Sequence, residues 1–359
     1  MKYSRKCIDK AGFALIGGDP FERQQASSIV TDWRQLHLPV LRKLNDELTE
    51  LLVSSGIPFE FSSHRIKRMQ SIVEKLRNNR EKKMGLGGLH DIGGIRFVFP
   101  NIDILQKAKD VIKSHVFSGF ILKTKDDDYD YVTYPKESGY RSIHLVYKHE
   151  SDDKDYDGLQ IELQIRTKLQ HCWAMAVETA SLISGASLKA SLQDGSVWRD
   201  FFKLISAIFS NKEGTPLHDN FTQYSSWDFC REYNNYIEEH KLVDQLRALR
   251  VSVNFDKHKE IEDGYCVLVV DFQQQMVYFK YFDSEDEAKA SEEFTNMEKG
   301  LTDNEAALMV SMAKMSELRK AYPSYFLDTE DFLLTLKEFD LSCLRQYSSL
   351  LPPPYKWNI

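Results

Sequence analysis

Residues 158–178 change from one hydrophobic pattern to another. Leu159, Ile161, Leu163 and Ile165 alternate strictly with polar residues, which is the period of a β-strand with one buried face. The polar positions of this strand carry two amides, a carboxylate and a guanidinium: Gln160, Glu162, Gln164 and Arg166. A solvent-facing sheet surface is the commoner alternative, but such surfaces favour Lys, Thr and Ser. The pattern therefore points to a polar face that lines a site.

Helical periodicity dominates the N-terminal part of the chain. Apolar residues recur at three- to five-residue steps over 23–55, and Pro39 is expected to divide this segment into two packing helices. A further helix is predicted over 64–80, with Ser62 or Ser63 as its cap. Its apolar stripe consists of Ile66, Met69, Val73 and Leu76.

The remaining pattern predicts short strands as well as helices, and the expected fold class is α+β. Around the strand at 159–166, further elements are predicted: strands at 95–99 and 142–148, and helices at 103–115 and 198–210. Thr167 and Gln170 form a capping-box pattern for the helix that follows the polar strand.

A polar segment at 211–226, with Gly214 and Pro216, predicts a domain boundary. Beyond it the pattern predicts a second, smaller domain made of a hairpin and helices. The hairpin turns near Gln273–Gln275, and the helices cover 227–249, 284–298, 303–320 and 328–338. The predicted domains are an N-terminal helical segment (1–39), a central domain (40–212) and a C-terminal domain (227–359).

Composition narrows the class of protein. The 359 residues, 42% of them apolar, suffice for two packed cores. The net charge of −7 means that any nucleotide site must be a local basic patch. Five scattered cysteines without a CxxC pair indicate neither a disulfide framework nor a zinc site, and they suit a reducing cytoplasm. No apolar run approaches the ~18 residues of a membrane span.

A basic stripe follows residue 64. Between His64 and Lys83 there are eight Lys or Arg against two Glu, and Lys67, Ser71 and Lys75 are spaced four apart. The glycine-rich segment 85–94 comes next, and glycines let backbone approach a phosphate closely. Phosphate binding and an ordinary solvated face are the two interpretations of this stripe.

Two carboxylates and one loop complete the candidate chemistry. Asp91 precedes the strand at 95–99, and it can hold a divalent cation if Glu162 lies on a neighbouring strand. A turn or cap residue is the alternative for Asp91. The loop "YPKESGYRSIHL" offers the flat ring of Tyr140 and the charge of Lys136, although an ordinary exposed loop would have the same composition.

Four motifs in order resemble the RelA/SpoT synthetase domain over about residues 40–210. They are "RIKRMQSIVEKL", "LHDIGGIRFVF", "YPKESGYRSIHLVYK" and "IELQIRTKLQHCWAMAVE". This family transfers pyrophosphate from ATP to make guanosine tetra- and pentaphosphate. The resemblance implies a nucleotidyltransferase-like mixed β-sheet flanked by helices, and Mg²⁺ as cofactor.

The resemblance also implies roles for individual residues. Asp91 and Glu162 would bind the metal, and with Arg65 and Lys67 they would form the catalytic group. The ATP phosphates would be held by Arg65, Lys67, Ser71, Lys75 and Arg96. The acceptor would be bound by Lys136, Tyr140, His144, Gln164 and Arg166.

Two departures leave alternatives open. Ser138 stands where guanosine-binding relatives commonly have Asn, which weakens the case for guanine specificity. Toxic short members of the family pyrophosphorylate the 3′ end of tRNA, so GDP or GTP and tRNA are both candidate acceptors. A nucleotide sensor without turnover is the third hypothesis. The C-terminal domain is expected to be regulatory, and an antitoxin or trigger protein and a second copy of the chain are candidate partners.

Overall fold

The structure is a computed structural model. It describes residues 3–79, 84–125, 128–183, 197–240, 242–243, 246, 264–271, 276–302, 305–312 and 329–347. Among these residues, no helix has the length and apolar content needed to span a bilayer.

A five-stranded mixed sheet forms the first part of the molecule. Its elements are, in chain order, α1 (Arg5–Gly17), α2 (Pro20–Ser54), β1 (Phe61–Ile66), α3 (Met69–Asn78), β2 (Gly93–Phe99), α4 (Ile102–Ser114), β3 (Phe120–Leu122), β4 (Ile143–His149), β5 (Gln160–Thr167), α5 (Lys168–Ile183) and α6 (Val197–Glu213). The strand order is β1-β2-β5-β4-β3, with β2 and β5 parallel and the other pairs antiparallel. This confirms the expected α+β class with a mixed sheet flanked by helices.

The two faces of this sheet differ in character. Ile95, Phe97, Ile161, Leu163 and Ile165 are fully buried in one core with α1, α2 and α4. The opposite face carries the polar residues of β2 and β5, so the alternation in 159–166 predicted the orientation of β5 correctly. A second core contains aromatic residues of α5 and α6, such as Trp173 and Phe202, together with residues of the later helices at Ser226–His240 and Glu330–Tyr347.

The expected break at Pro39 is wrong. Helix α2 runs without interruption from Pro20 to Ser54, with Pro39 inside it. A proline inside a helix costs about 3 kcal/mol, because one hydrogen bond is lost and the ring clashes with the preceding turn. The completely buried Leu41, Leu44 and Leu48 offset this cost by packing in the first core.

The helix predicted over 64–80 is wrong for its first half. Residues Phe61–Ile66 form strand β1, which pairs antiparallel with β2, and Ser62 and Ser63 lie in that strand and not at a helix cap. Helix α3 begins only at Met69. Pairing with the edge of the sheet outweighed the local helical period.

The second part contains α7 (Ser226–His240), β6 (Gly264–Asp271), β7 (Met276–Asp283), α8 (Glu287–Gly300), β8 (Glu305–Met312) and α9 (Glu330–Tyr347). Strands β6 and β7 form the predicted hairpin, whose turn at Gln273–Gln275 lies outside the described residues. The helix predicted over 303–320 is wrong at 305–312, where β8 pairs with β6, and 313–320 lies outside the described residues. The helices predicted at 227–249, 284–298 and 328–338 agree with α7, α8 and α9 where residues are described, and the domain limits stay predictions.

A disulfide joins α7 to α9. Cys230 and Cys343 are bonded although 113 residues separate them, so the expectation of unpaired cysteines is wrong for this pair. A search for nearby cysteine pairs cannot find a bond that depends on tertiary packing. Cysteine usage therefore no longer supports a reducing compartment.

Candidate functional site

The polar face of the sheet carries two cross-strand rows of residues. The pairing registers place Ser63, Arg96, Gln164 and His144 in one row, and Arg65, Gly94, Glu162 and Val146 in the next. The rows arise because neighbours in register point to the same side of a sheet. Residues that lie far apart in sequence thereby meet above the centre of β2 and β5.

Asp91, in the loop before β2, is held between two lysines. Its Oδ2 accepts hydrogen bonds from Lys67 Nζ at 2.9 Å and from Lys75 Nζ at 2.7 Å. Burial alone would raise the pKa of Asp91, but the two ammonium groups outweigh it and hold the pKa at about 2. Asp91 is therefore a carboxylate at any physiological pH, and it fixes both lysines near the sheet.

Glu162, at the centre of β5, is a buried carboxylate with two polar partners. His144 Nδ1 lies 3.1 Å from Glu162 Oε1, and Gln164 Nε2 donates to Glu162 Oε2 at 2.7 Å. Burial would raise the pKa of Glu162, but the contacts with His144 and Gln164 outweigh it and lower the pKa to about 2. A neighbouring carboxylate, Asp91, acts in the opposite direction.

Both carboxylates line one small cavity, here named the carboxylate cavity. Its lining consists of Ser63, Arg65, Lys67, Asp91, Gly94, Ile95, Arg96, Glu162 and Gln164. Asp91 Oδ1 is buried in it without a hydrogen-bond partner among the described residues. An orphaned carboxylate oxygen beside a second carboxylate fits a hard divalent cation such as Mg²⁺. No third acidic, histidine or cysteine ligand joins them in the described part of the chain.

A larger cavity of about 650 Å³ lies beside the first and shares Arg96 and Gln164 with it. It is named the aromatic cavity, and it is lined by Arg96, Lys136, Ser138, Tyr140, His144, Gln164, Arg166, Trp173, Ala174, Met175, Val177, Glu178, Arg199 and Phe202. Its size suits a nucleotide-sized ligand.

Tyr140 connects the aromatic cavity with Glu162. Its hydroxyl lies 2.9 Å from His144 Nε2, so that Tyr140, His144 and Glu162 form a hydrogen-bonded chain. The preceding Gly139 has a φ of +87°, in the left-handed region that favours glycine. Ser206 Oγ donates to the carbonyl of Gly139 and so fixes the loop that presents Tyr140.

Arg166 contributes a buried positive charge to the same cavity. Its Nε has no hydrogen-bond partner among the described residues, and burial together with the nearby Arg96 lowers its pKa to about 9. Glu178 stands close to four arginines, Arg65, Arg68, Arg96 and Arg166, which outweigh its burial and lower its pKa. Four guanidinium groups around one carboxylate leave net positive charge for an anionic ligand.

The structure brings nearly all sequence-predicted residues into these two cavities. Arg65, Lys67, Asp91 and Glu162 line the carboxylate cavity, Lys136, Tyr140, His144 and Arg166 line the aromatic cavity, and Arg96 and Gln164 line both. Lys75 reaches the site through Asp91, while Ser71 lies half-buried in α3. The individual roles assigned to these residues stay predictions.

Sequence reasoning missed four charged or aromatic residues of the aromatic cavity: Trp173, Glu178, Arg199 and Phe202. Trp173 and Glu178 lie on α5, which directly follows the polar strand β5. This adjacency was an available signal in the sequence. A helix that follows β5 and packs against the sheet must pass over one of its faces. Arg199 and Phe202 come from α6 and carried no local signal.

Comparison with known proteins identifies the segment. Residues 64–182 match the sequence model of a family described as "Region found in RelA / SpoT proteins". The chain is 34% identical over 123 residues to GTP pyrophosphokinase YjbM of Bacillus subtilis, an alignment that covers 33% of this chain and 54% of that protein. It is 32% identical over 130 residues to GTP pyrophosphokinase YwaC of the same organism, with 34% and 58% covered. The aligned region thus spans little more than half of these relatives.

A solved structure, that of small alarmone synthetase 1 from Bacillus subtilis bound to its product pppGpp, aligns with a TM-score of 0.40 and 24% identity. The alignment covers 51% of this chain and 93% of that one. The family match confirms the RelA/SpoT-type resemblance that four sequence motifs indicated.

Proposed function

We propose that the chain is an ATP-dependent pyrophosphokinase whose acceptor is the 3′-hydroxyl of GDP or GTP. Two kinds of observation support this proposal. The matched relatives are named GTP pyrophosphokinases, and the family match covers the segment that contains Asp91, Tyr140 and Glu162. The two adjoining cavities offer places for a donor and an acceptor.

The donor would lie in the carboxylate cavity. Arg65, Lys67 and Arg96 line this cavity, and Lys75 approaches it through Asp91. Cationic groups fixed in advance stabilise the charge that spreads over a transferring phosphoryl group. The acceptor base would stack on Tyr140 in the aromatic cavity, with Lys136 and Arg166 available to its phosphates.

The reaction forms a bond between the acceptor 3′-oxygen and the β-phosphorus of ATP, and it breaks the bond between that phosphorus and the bridging oxygen of the α-phosphate. AMP leaves, and the 3′-hydroxyl proton must go to a nearby base. Glu162 is ionised at neutral pH and so has an oxygen able to accept a proton, and it contacts His144, which in turn contacts Tyr140. We assign Glu162 to the orientation of the hydroxyl and the acceptance of its proton.

Asp91 and Glu162 would hold Mg²⁺, because they share one cavity and Asp91 Oδ1 is orphaned there. When bound, the ion would neutralise charge on the triphosphate and on the transferred group. The single observation that carries the proposal is this convergence of two buried carboxylates with a ring of cations.

The test uses ATP labelled in its γ-phosphate and, in separate reactions, GDP, GTP and deacylated tRNA, all with Mg²⁺. The proposal expects label on GDP or GTP and release of AMP. Label on tRNA alone would assign the toxin-type acceptor instead, and the absence of label from every acceptor, with ATP still bound, would favour a sensor. Glu162→Gln serves as the inactive control.

A further inference from the structure

A carboxylate from the second part of the molecule caps a helix of the first. Helix α3 begins at Met69, and the residue before it, Arg68, makes no side-chain cap hydrogen bond. The amide N–H of Met69 instead donates to Glu298 Oε1 at 2.8 Å, across 229 positions of sequence. The first amides of a helix need an acceptor, and a carboxylate there also interacts favourably with the helix dipole.

Glu298 is itself held by a buried arginine. Arg34 of α2 donates from Nη1 to Glu298 Oε2 at 2.7 Å and from Nη2 to Glu298 Oε1 at 3.2 Å, a bidentate pair. The side chains are 3% and 11% exposed, so solvent screens this pair little. The guanidinium also lies 5.5 Å from the ring centroid of Phe294, on the same helix as Glu298.

The same arginine also contacts the backbone of the turn between β1 and α3. Arg34 Nε donates to the carbonyl of Lys67 at 2.9 Å. The Arg34–Glu298 pair therefore binds a backbone carbonyl and a backbone amide that lie two residues apart, Lys67 C=O and Met69 N–H. Together these contacts fix the chain between β1 and α3.

We propose that Glu298 is a positioning residue for the phosphate-binding side of the carboxylate cavity. Lys67 lies in the turn that Arg34 and Glu298 contact, and it donates to Asp91. Lys75, on helix α3 that follows this turn, also donates to Asp91. It follows that the C-terminal part of the chain is a component of the donor site. Its removal weakens ATP binding. The inference rests on the proposed function, in which that cavity binds the ATP phosphates.

The first test compares Glu298→Ala, Glu298→Gln and the control Glu292→Ala, an exposed glutamate on the same helix. We expect Glu298→Ala to raise the KM for ATP roughly tenfold, since Met69 loses its charge-assisted acceptor and the buried Arg34 loses its carboxylate partner. Gln keeps the acceptor for Met69 but not the ion pair, so Glu298→Gln should lie between Ala and wild type. The KM of the acceptor should stay within about twofold, because the described contacts of Glu298 are with Arg34 and Met69, and neither lines the aromatic cavity.

A second variant isolates the helix amide. Met69→Pro removes the N–H that donates to Glu298, together with the methionine side chain. The helix should tolerate it, because proline is favoured at the first position of a helix and Arg68 already has the extended φ of −61° and ψ of 147° that a following proline requires. Met69→Ala is its control for the lost side chain. We expect Met69→Pro to weaken ATP binding several-fold relative to Met69→Ala.

Calorimetry measures the binding of a non-hydrolysable ATP analogue to the full chain. It tests the effect of the Glu298 contacts on ATP binding without turnover. Weakened analogue binding by Glu298→Ala but not by Glu292→Ala supports the proposal. Unchanged or tighter binding overturns it, and tighter binding would mean that the contact hinders ATP. If Glu298→Ala weakened the binding of ATP and of the acceptor equally and also lowered the melting temperature, the proposal would likewise be overturned. A wild-type chain that binds the analogue but labels no acceptor would refute the proposed function and leave this inference testable.

Discussion

Gly94 stands opposite Glu162 in the parallel ladder of β2 and β5. A Cβ at Gly94 would meet nothing closer than the carbonyl oxygen of Glu162, at 4.0 Å, so the glycine leaves open space above the strand. The neighbouring Gly93 faces the core, where its Cβ would lie 2.7 Å from Ile161 Cδ1. Packing against Ile161 thus requires a glycine at 93, whereas the glycine at 94 leaves the lining of the carboxylate cavity without a side chain.

Gly94→Val should leave the fold intact and remove activity. The valine side chain would project into the small carboxylate cavity, and displacement of reacting groups by about 1 Å can cost about a hundredfold in rate. We expect a melting temperature close to wild type and transfer reduced by about that factor. Gly93→Ala is the contrast, with an overpacking loss of about 1–3 kcal/mol in denaturant unfolding. A fully active Gly94→Val would place the triphosphate elsewhere.

Replacement of either carboxylate by its amide should abolish transfer. Asp91→Asn and Glu162→Gln keep the shape of the side chain but remove the charge that a divalent cation needs, and we expect losses of at least about a hundredfold in kcat. The measurement is label transfer from ATP at saturating Mg²⁺. Titration with Mn²⁺ should show weaker metal binding by both variants, so that half-maximal transfer needs a higher Mn²⁺ concentration. A variant that retains wild-type rate and metal dependence would remove that residue from the metal site.

Two substitutions of Tyr140 distinguish the contribution of its ring from that of its hydroxyl. Tyr140→Phe loses the contact of its hydroxyl with His144 Nε2 but keeps the ring, while Tyr140→Ala loses both. If the ring stacks on the acceptor base, we expect Tyr140→Ala to raise the acceptor KM about 5- to 150-fold, since stacking on one aromatic ring contributes about 1–3 kcal/mol. Tyr140→Phe should leave the acceptor KM within about threefold of wild type. Equal KM increases for both variants would assign the effect to the hydroxyl instead.

His37 makes the fold sensitive to acid. It is buried in α2, with Nδ1 2.9 Å from the carbonyl of Trp33, and burial lowers its pKa from 6.5 to about 4. The unfolded chain therefore binds this proton below about pH 6.5 while the folded chain does not until about pH 4, so stability falls as pH falls through that window. Between pH 7.5 and 5 the loss from His37 should be about 2 kcal/mol. The free energy of unfolding of His37→Gln, measured in urea, should fall less over this pH range than that of wild type. An equal fall would contradict a buried neutral imidazole at this position.

The polar face of β5 was predictable because the period of a strand is local. Strict alternation in 159–166 separates Glu162 and Gln164 from the buried leucines and isoleucines in any sheet. Thr167 and Gln170 likewise exchange the two hydrogen bonds that their capping-box spacing implies. These features depend on neighbours within four residues.

Features that depend on the whole fold were not predictable. Strand β8 has alanine, leucine and methionine, which favour helices, yet it pairs along β6. Gln164 and Arg96 share a row only because β2 and β5 are neighbours. The cap of α3 by Glu298 and the bond between Cys230 and Cys343 join positions more than a hundred residues apart, for which no local pattern exists.

The bond between Cys230 and Cys343 encloses strands β6, β7 and β8 and helix α8 within one covalent ring. A single backbone cut anywhere inside that ring would leave both fragments attached to the rest of the chain. Helix α8 would then stay tethered beside α3 at a high effective concentration, and the nicked and intact proteins would separate by size only after reduction.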